Sequence, residues 1–137
     1  LANADRVLPA ADRSVHRVVS LFGRRPISEI HRVLVPGGVC VVAVPGEEDL
    51  IELREQVQKT GQRRSRWEMI AEDMSHAGME LIDQKHWHNN VKLGPAAIAD
   101  ALAMTYRAAR HSQKSRLDAV QAANVTLAAD LLLLRRN

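Results

Sequence analysis

Apolar residues recur along this chain in two rhythms that take turns, one of strand length and one of helical spacing. Val18, Val19, Leu21 and Phe22 crowd residues 17–22 into a β-branched and aromatic run, which predicts a strand closed by Gly23. From Ile27 the positions Ile27, Ile30, His31 and Leu34 predict a helix, with Pro26 suited to its first turn and Pro36-Gly37-Gly38 ending it. Val39 to Val44 is continuously apolar, as a strand buried on both faces of a parallel sheet would be, and Pro45-Gly46 terminates it. Leu50, Leu53 and Val57 then form one stripe and predict a helix over 49–59, with Glu47, Glu48 and Asp49 at the end where the helix dipole favours acids. Trp67, Ile70, Met74 and Ala77 predict another helix, stopped by Gly78.

The remainder is less regular. A strand is expected over Leu81 to Trp87, and Pro95 opens a helix to about Arg110 with Ile98, Leu102 and Tyr106 one turn apart. Residues 115–124 read as helical and Val125 to Leu134 as a last strand, while Leu1 to Asp5 reads as a strand end and 7–14 as a loop around Pro9 and Asp12. Such alternation predicts an α/β sheet flanked by helices. No internal repeat or low-complexity segment interrupts it.

Composition narrows the picture. A chain of 137 residues, 46% of them hydrophobic, is long enough for one domain with its own core. The single cysteine, Cys40, lies inside an apolar run, so no internal disulfide forms and a reducing, cytoplasmic compartment is expected. The longest apolar runs fall far short of a membrane span, and no charged leader opens the chain, so no membrane partner is expected. Net charge is only +3, but arginines cluster at Arg24-Arg25, Arg63-Arg64 with Arg66, Arg107 with Arg110, and Arg135-Arg136. Such clusters are either solvated surface or phosphate contacts to RNA. Aromatics make up only 3%, so the stacking platforms of single-stranded RNA modules are not evident. An opening at Leu1 without methionine, on what reads as a strand end, suggests a fragment or an atypical start codon.

Three tokens carry a family resemblance. Ala4-Asp5-Arg6-Val7-Leu8-Pro9 leads into Ser14-Val15-His16-Arg17-Val18-Val19-Ser20-Leu21-Phe22, and Glu29 to Gly38 then reads Glu-x-x-Arg-Val-Leu-x-Pro-Gly-Gly before an apolar strand. This resembles the class I S-adenosylmethionine-dependent methyltransferases, over nearly the whole chain. Pro45-Gly46 with Asp49-Leu50-Ile51-Glu52-Leu53-Arg54-Glu55, and Met104-Thr105-Tyr106-Arg107-Ala108, are similar to stretches of the ribosomal RNA guanine-N1 methyltransferases.

That resemblance implies a partial Rossmann-like sheet made of the family's late strands, with an antiparallel last strand inserted between the two before it. It also implies that the early strands and their glycine-rich cofactor loop are missing, leaving one incomplete domain over residues 1–137 and an unpaired edge on the strand near Arg17 to Phe22. By resemblance, Asn3, Ala4 and Asp5 fall where adenine is contacted, although Asn3 and Asp5 also suit a simple turn. Phe22 and Gly23 would face the methionine moiety of S-adenosyl-L-methionine, and Arg24, Arg25 and Pro45 the substrate, with no catalytic side chain assigned. Two departures stand out: His16 replaces the family's usual aspartate, and Phe22-Gly23-Arg24 replaces Phe-Ala-Pro.

Other candidates point elsewhere. His86 and His88 share one face of a strand, a spacing that could begin a metal site, but no Cys or carboxylate pattern completes it and no metal is expected. His31, His76 and His111 read as surface residues, Trp67 and Tyr106 as core anchors, and Cys40 as inert. The readings left open are an RNA methyltransferase domain, truncated or inactive alone; a non-catalytic module associating through its open edge, as a homodimer or with a complementing chain; and a small-molecule methyltransferase of the same superfamily.

Overall fold

A computed structural model describes residues 7–57, 65–105 and 123–137. Its elements are β1 (Val15–Leu21), α1 (Ile27–Val33), β2 (Leu34–Pro45), α2 (Ile51–Val57), α3 (Trp67–His76), β3 (Met79–Leu93), α4 (Pro95–Thr105) and β4 (Ala123–Arg136). The strands form one sheet in the order β1-β2-β4-β3. β1 and β2 are parallel, joined through α1, while β4 runs antiparallel to β2 from Val39↔Arg135 to Pro45↔Ala129. The last strand in the chain therefore sits between the two that precede it, as the resemblance implied, and β1 is the outermost of the described strands.

Several boundaries differ from expectation, each for a local reason. β1 starts at Val15 and ends at Leu21, because Phe22 takes a left-handed φ of +52° and turns the chain before Gly23 is reached. β2 begins at Leu34, already paired with Val15, and Pro36-Gly37-Gly38 is an irregularity inside the strand between that pair and Arg17↔Val39. Gly37 has a φ of +76°, and a Cβ on Gly38 would lie 2.9 Å from the Val35 carbonyl oxygen and 3.2 Å from that of His16, so both positions require glycine. Ala77 caps α3 and Gly78 follows with a φ of +85°. β3 extends well beyond the expected segment, and Asn124 belongs to β4 instead of ending a helix. The expectations for residues 1–6, 58–64 and 106–122 lie outside the described residues.

The chain divides into two compact units, the first comprising Leu1–Glu47, Arg64–Trp87 and Ala129–Asn137, the second Glu48–Arg63 and His88–Ala128. In the first, alternation along β2 and β4 sends Cys40, Val42, Val44, Leu132 and Leu134 to one face, where Ile30 of α1, Ile70 and Met74 of α3, and Met79 complete a buried cluster. Trp67 packs against it, as its place on an apolar stripe predicted. Each fully buried large side chain there contributes about 1.5–3 kcal/mol. In the second unit Leu50, Leu53, Ile98 and Val125 form a smaller core, with Val91, Leu93, Ala101 and Leu127 against it.

Polar groups fasten the segments that the apolar pattern leaves loose. Arg32 grips both Glu29 oxygens at 2.7 Å and donates to the carbonyls of Leu8 (3.1 Å) and Ala10 (3.0 Å) and to Asp12 (2.5 Å). The Leu8 amide in turn donates to Glu29 at 2.8 Å. At the end of α1, the Arg32 and Val33 carbonyls accept the amides of Arg13 and Ser14, and Arg136 donates to the Leu34 carbonyl. His31 is half-buried there instead of on the surface, and burial, then the charges of Arg136 and Arg13, hold its imidazole below the ordinary range.

In the second unit, Glu52 accepts the Thr126 amide at 2.9 Å and its hydroxyl at 2.6 Å, and Asp49 accepts the Ala128 amide at 2.9 Å. Burial pushes the Glu52 carboxyl up, but the Thr126 donors outweigh it and the net shift is downward.

Leu132→Ala should lower the unfolding free energy by about 2–5 kcal/mol in urea titrations, since it empties a fully buried position. The Arg32 fork, then the Leu8 amide, bring the Glu29 carboxyl down from 4.5 to about 2. The stability it contributes is complete above pH 4.5 and is lost as the pH falls toward 2. The difference in unfolding free energy between wild type and Glu29→Gln should close across that window, and a difference that persists unchanged would mean the carboxylate charge is not what holds the loop.

Candidate functional site at the carboxyl ends of β1 and β2

Two parallel strands ending side by side create the place where open α/β sheets hold ligands. Here the Leu21↔Ala43 pair closes the ladder, and the Phe22 amide still donates to the Ala43 carbonyl at 2.9 Å. That bond fixes the backbone of Phe22 while its left-handed φ turns the chain, and the ring is left 61% exposed. A bulky residue held at positive φ costs on the order of 1–2 kcal/mol, a strain that is common where a loop is shaped for a ligand. Gly23 and Arg24 are exposed, and Arg25 is half-buried with its guanidinium donating to the Gly23 carbonyl at 3.1 Å. Pro45, half-buried, ends β2 beside them and is paired with Ala129.

Of the residues expected to form the site, Phe22, Gly23, Arg24, Arg25 and Pro45 thus gather at one end of two neighbouring strands. Asn3, Ala4 and Asp5 lie outside the described residues. The gathered loop offers an aromatic face and two guanidiniums, which suit a carboxylate or a phosphate. From Phe22 to Pro26 it offers no carboxylate to accept the hydroxyls of a nucleoside ribose. These residues therefore offer S-adenosylmethionine, the cofactor the resemblance implied, one side of a pocket only.

A further polar constellation stands next to this end of the sheet. Asp130, only 4% exposed, is paired across the ladder with Val44 and accepts from Gln84 at 3.2 Å, with His86 Nδ1 at 2.8 Å. A carboxylate therefore does reach His86, but from β4. The only sequence signal for Asp130 was a lone acid in a leucine-rich strand, where a buried charge must find partners. Cys40 is buried, and burial pushes its thiol up to about 11, so it stays protonated and inert as expected.

The strand order, with an antiparallel strand inserted beside β2, gives the Rossmann-like α/β fold of the methyltransferase structures that the chain resembles. No protein-family model and no curated protein matches the sequence. Among solved structures, the chain is similar to a candidate methyltransferase of Bacillus halodurans C-125, at 14% identity and a TM-score of 0.64, over 98% of this chain and 75% of that one. It is similar to an S-adenosylmethionine-dependent methyltransferase of Thermotoga maritima at 16% identity and a TM-score of 0.51, over 100% and 63% of the two chains. The cyclase SpnF also matches, at 19% identity and a TM-score of 0.53, over 99% of this chain and 54% of its own. The chain thus spans from about half to three quarters of the length of these proteins. At such identities the likeness shows the fold, and a cyclase among the neighbours shows that this fold does not by itself decide the reaction. Among the described residues, no helix is long and apolar enough to cross a membrane.

If Phe22 is strained for a ligand and not for packing, Phe22→Gly should leave the unfolding free energy unchanged or raise it by up to about 1 kcal/mol, since glycine adopts positive φ without penalty. A clear loss of stability in denaturant titrations would show that the ring is a structural anchor.

Proposed function

We propose that this chain carries the substrate-facing part of an S-adenosylmethionine-dependent methyltransferase whose target is a guanine N1 position in ribosomal RNA. The observation that carries the reading is the meeting of the β1 and β2 carboxyl ends, where Phe22 is held outward beside Arg24 and Arg25 in a class I methyltransferase sheet. The two arginines suit RNA phosphate, and the sequence tokens around Asp49 to Glu55 favour RNA over a small molecule. The cofactor's adenosine and ribose would be held by a glycine-rich loop that is not among these residues, so S-adenosylmethionine meets only one wall of its pocket here.

Titration of a ribosomal RNA hairpin into the chain tests the substrate. Binding should weaken steeply with salt, and Arg24→Glu with Arg25→Glu should lower the slope of log affinity against log salt by about 1 for each phosphate that is no longer neutralised. Binding that ignores salt, or is unchanged in the double variant, would remove RNA and leave the small-molecule alternative. Calorimetric titration with S-adenosylhomocysteine should show no micromolar capture by this chain alone, and stoichiometric capture would contradict the one-walled pocket.

A further inference from the structure

β3 presents two imidazoles on one side. Successive side chains of a strand alternate between faces, so His86 and His88 share a face of β3 and Trp87 lies on the other. Their ligating nitrogens lie within 4.8 Å of each other, and both side chains are exposed, His86 by 37%. A zinc-class ion bound tetrahedrally to two imidazoles, at about 2.1 Å each, holds those nitrogens about 3.4 Å apart. Rotation of two exposed rings covers the difference.

What separates this pair from ordinary surface histidines lies behind His86. Asp130 is only 4% exposed, and its Oδ1 accepts the Gln84 amide at 3.2 Å and meets His86 Nδ1 at 2.8 Å. A carboxylate oxygen accepts, so Nδ1 is the nitrogen that donates, and a neutral His86 carries its lone pair on Nε2. Ligating histidines at metal centres are held in this way, with one ring nitrogen on a carboxylate and the other toward the ion. A buried carboxylate that merely ties β4 to β3 needs one histidine. It gives no reason for a second imidazole two residues further on, on the same face.

We propose that His86 and His88 bind a divalent ion of the zinc, nickel or copper class, with Asp130 as the positioning residue of His86. Imidazole nitrogen suits those ions, whereas magnesium and calcium prefer oxygen. Two ligands on one strand form a chelate that asks for no backbone rearrangement. They leave the remaining positions of the ion to water or to the donors of a bound molecule. The site does not depend on the methyltransferase reading.

Calorimetric titration of the purified chain with zinc chloride should show one ion per chain with a dissociation constant below about 100 μM, and titration with magnesium chloride should show none. His86→Gln and His88→Gln should each weaken zinc binding by at least about tenfold, while His76→Gln, at an exposed position of α3, leaves it unchanged. Asp130→Asn keeps the size of the side chain but removes the charge behind His86, and should weaken zinc binding by about 10–100-fold. Circular dichroism shows which variants are folded, and His88→Gln, at an exposed position, tests the site without touching the core. No saturable zinc binding in that range, binding that survives either histidine substitution, or an affinity indifferent to Asp130→Asn in the folded variant would overturn the proposal.

Discussion

One guanidinium fastens the loop ahead of β1 to α1. Arg32 gathers Glu29, Asp12 and the carbonyls of Leu8 and Ala10 onto the end of a helix only two turns long. Such a short helix has little stability of its own and depends on what it is fastened to. Because Arg13 and Ser14 then cap that helix with their amides, the loop is delivered to β1 in a set register, and β1 delivers Phe22 to the site. Order passes from a polar fork, through a loop, to a strand end. The apolar core beneath supplies most of the energy, but it does not specify that path.

The tokens that carried the family resemblance turn out to be structural. Glu29 and Arg32 form the fork, Gly37 and Gly38 permit the irregular start of β2, and Asp49 with Glu52 hold β4 through the amides of Ala128 and Thr126. This explains why the fold was legible. Side chains that tie segments together sit at set spacings and leave a pattern, whereas groups that touch a ligand need only occupy the same space. The strand order followed from the same tokens, and the outermost place of β1 among the described strands with it.

What was illegible has equally physical causes. Residue spacing shows nothing of a φ value, so β1 was expected to run through Phe22 when the turn falls there. Pro-Gly-Gly signals a break, yet cross-strand pairing at Val15 and Leu34 enrols that break in the strand. β3 is long and mostly exposed, so it lacks the two-residue alternation that reveals a half-buried strand. Asp130 and His86 are far apart in sequence and meet only because β4 folds back between β2 and β3.

β1 ends at the candidate site and is the outermost of the described strands, so how firmly it is held bears on the site. Phe22 at its end is secured to Ala43, and among the described residues β1 is paired with β2 alone. A lone edge strand is held by one ladder and frays more readily than a strand held by two. Anything that pairs along Arg17, Val19 and Leu21 would therefore stiffen the segment that positions Phe22, Arg24 and Arg25, and would lower the entropy lost when a ligand orders that loop.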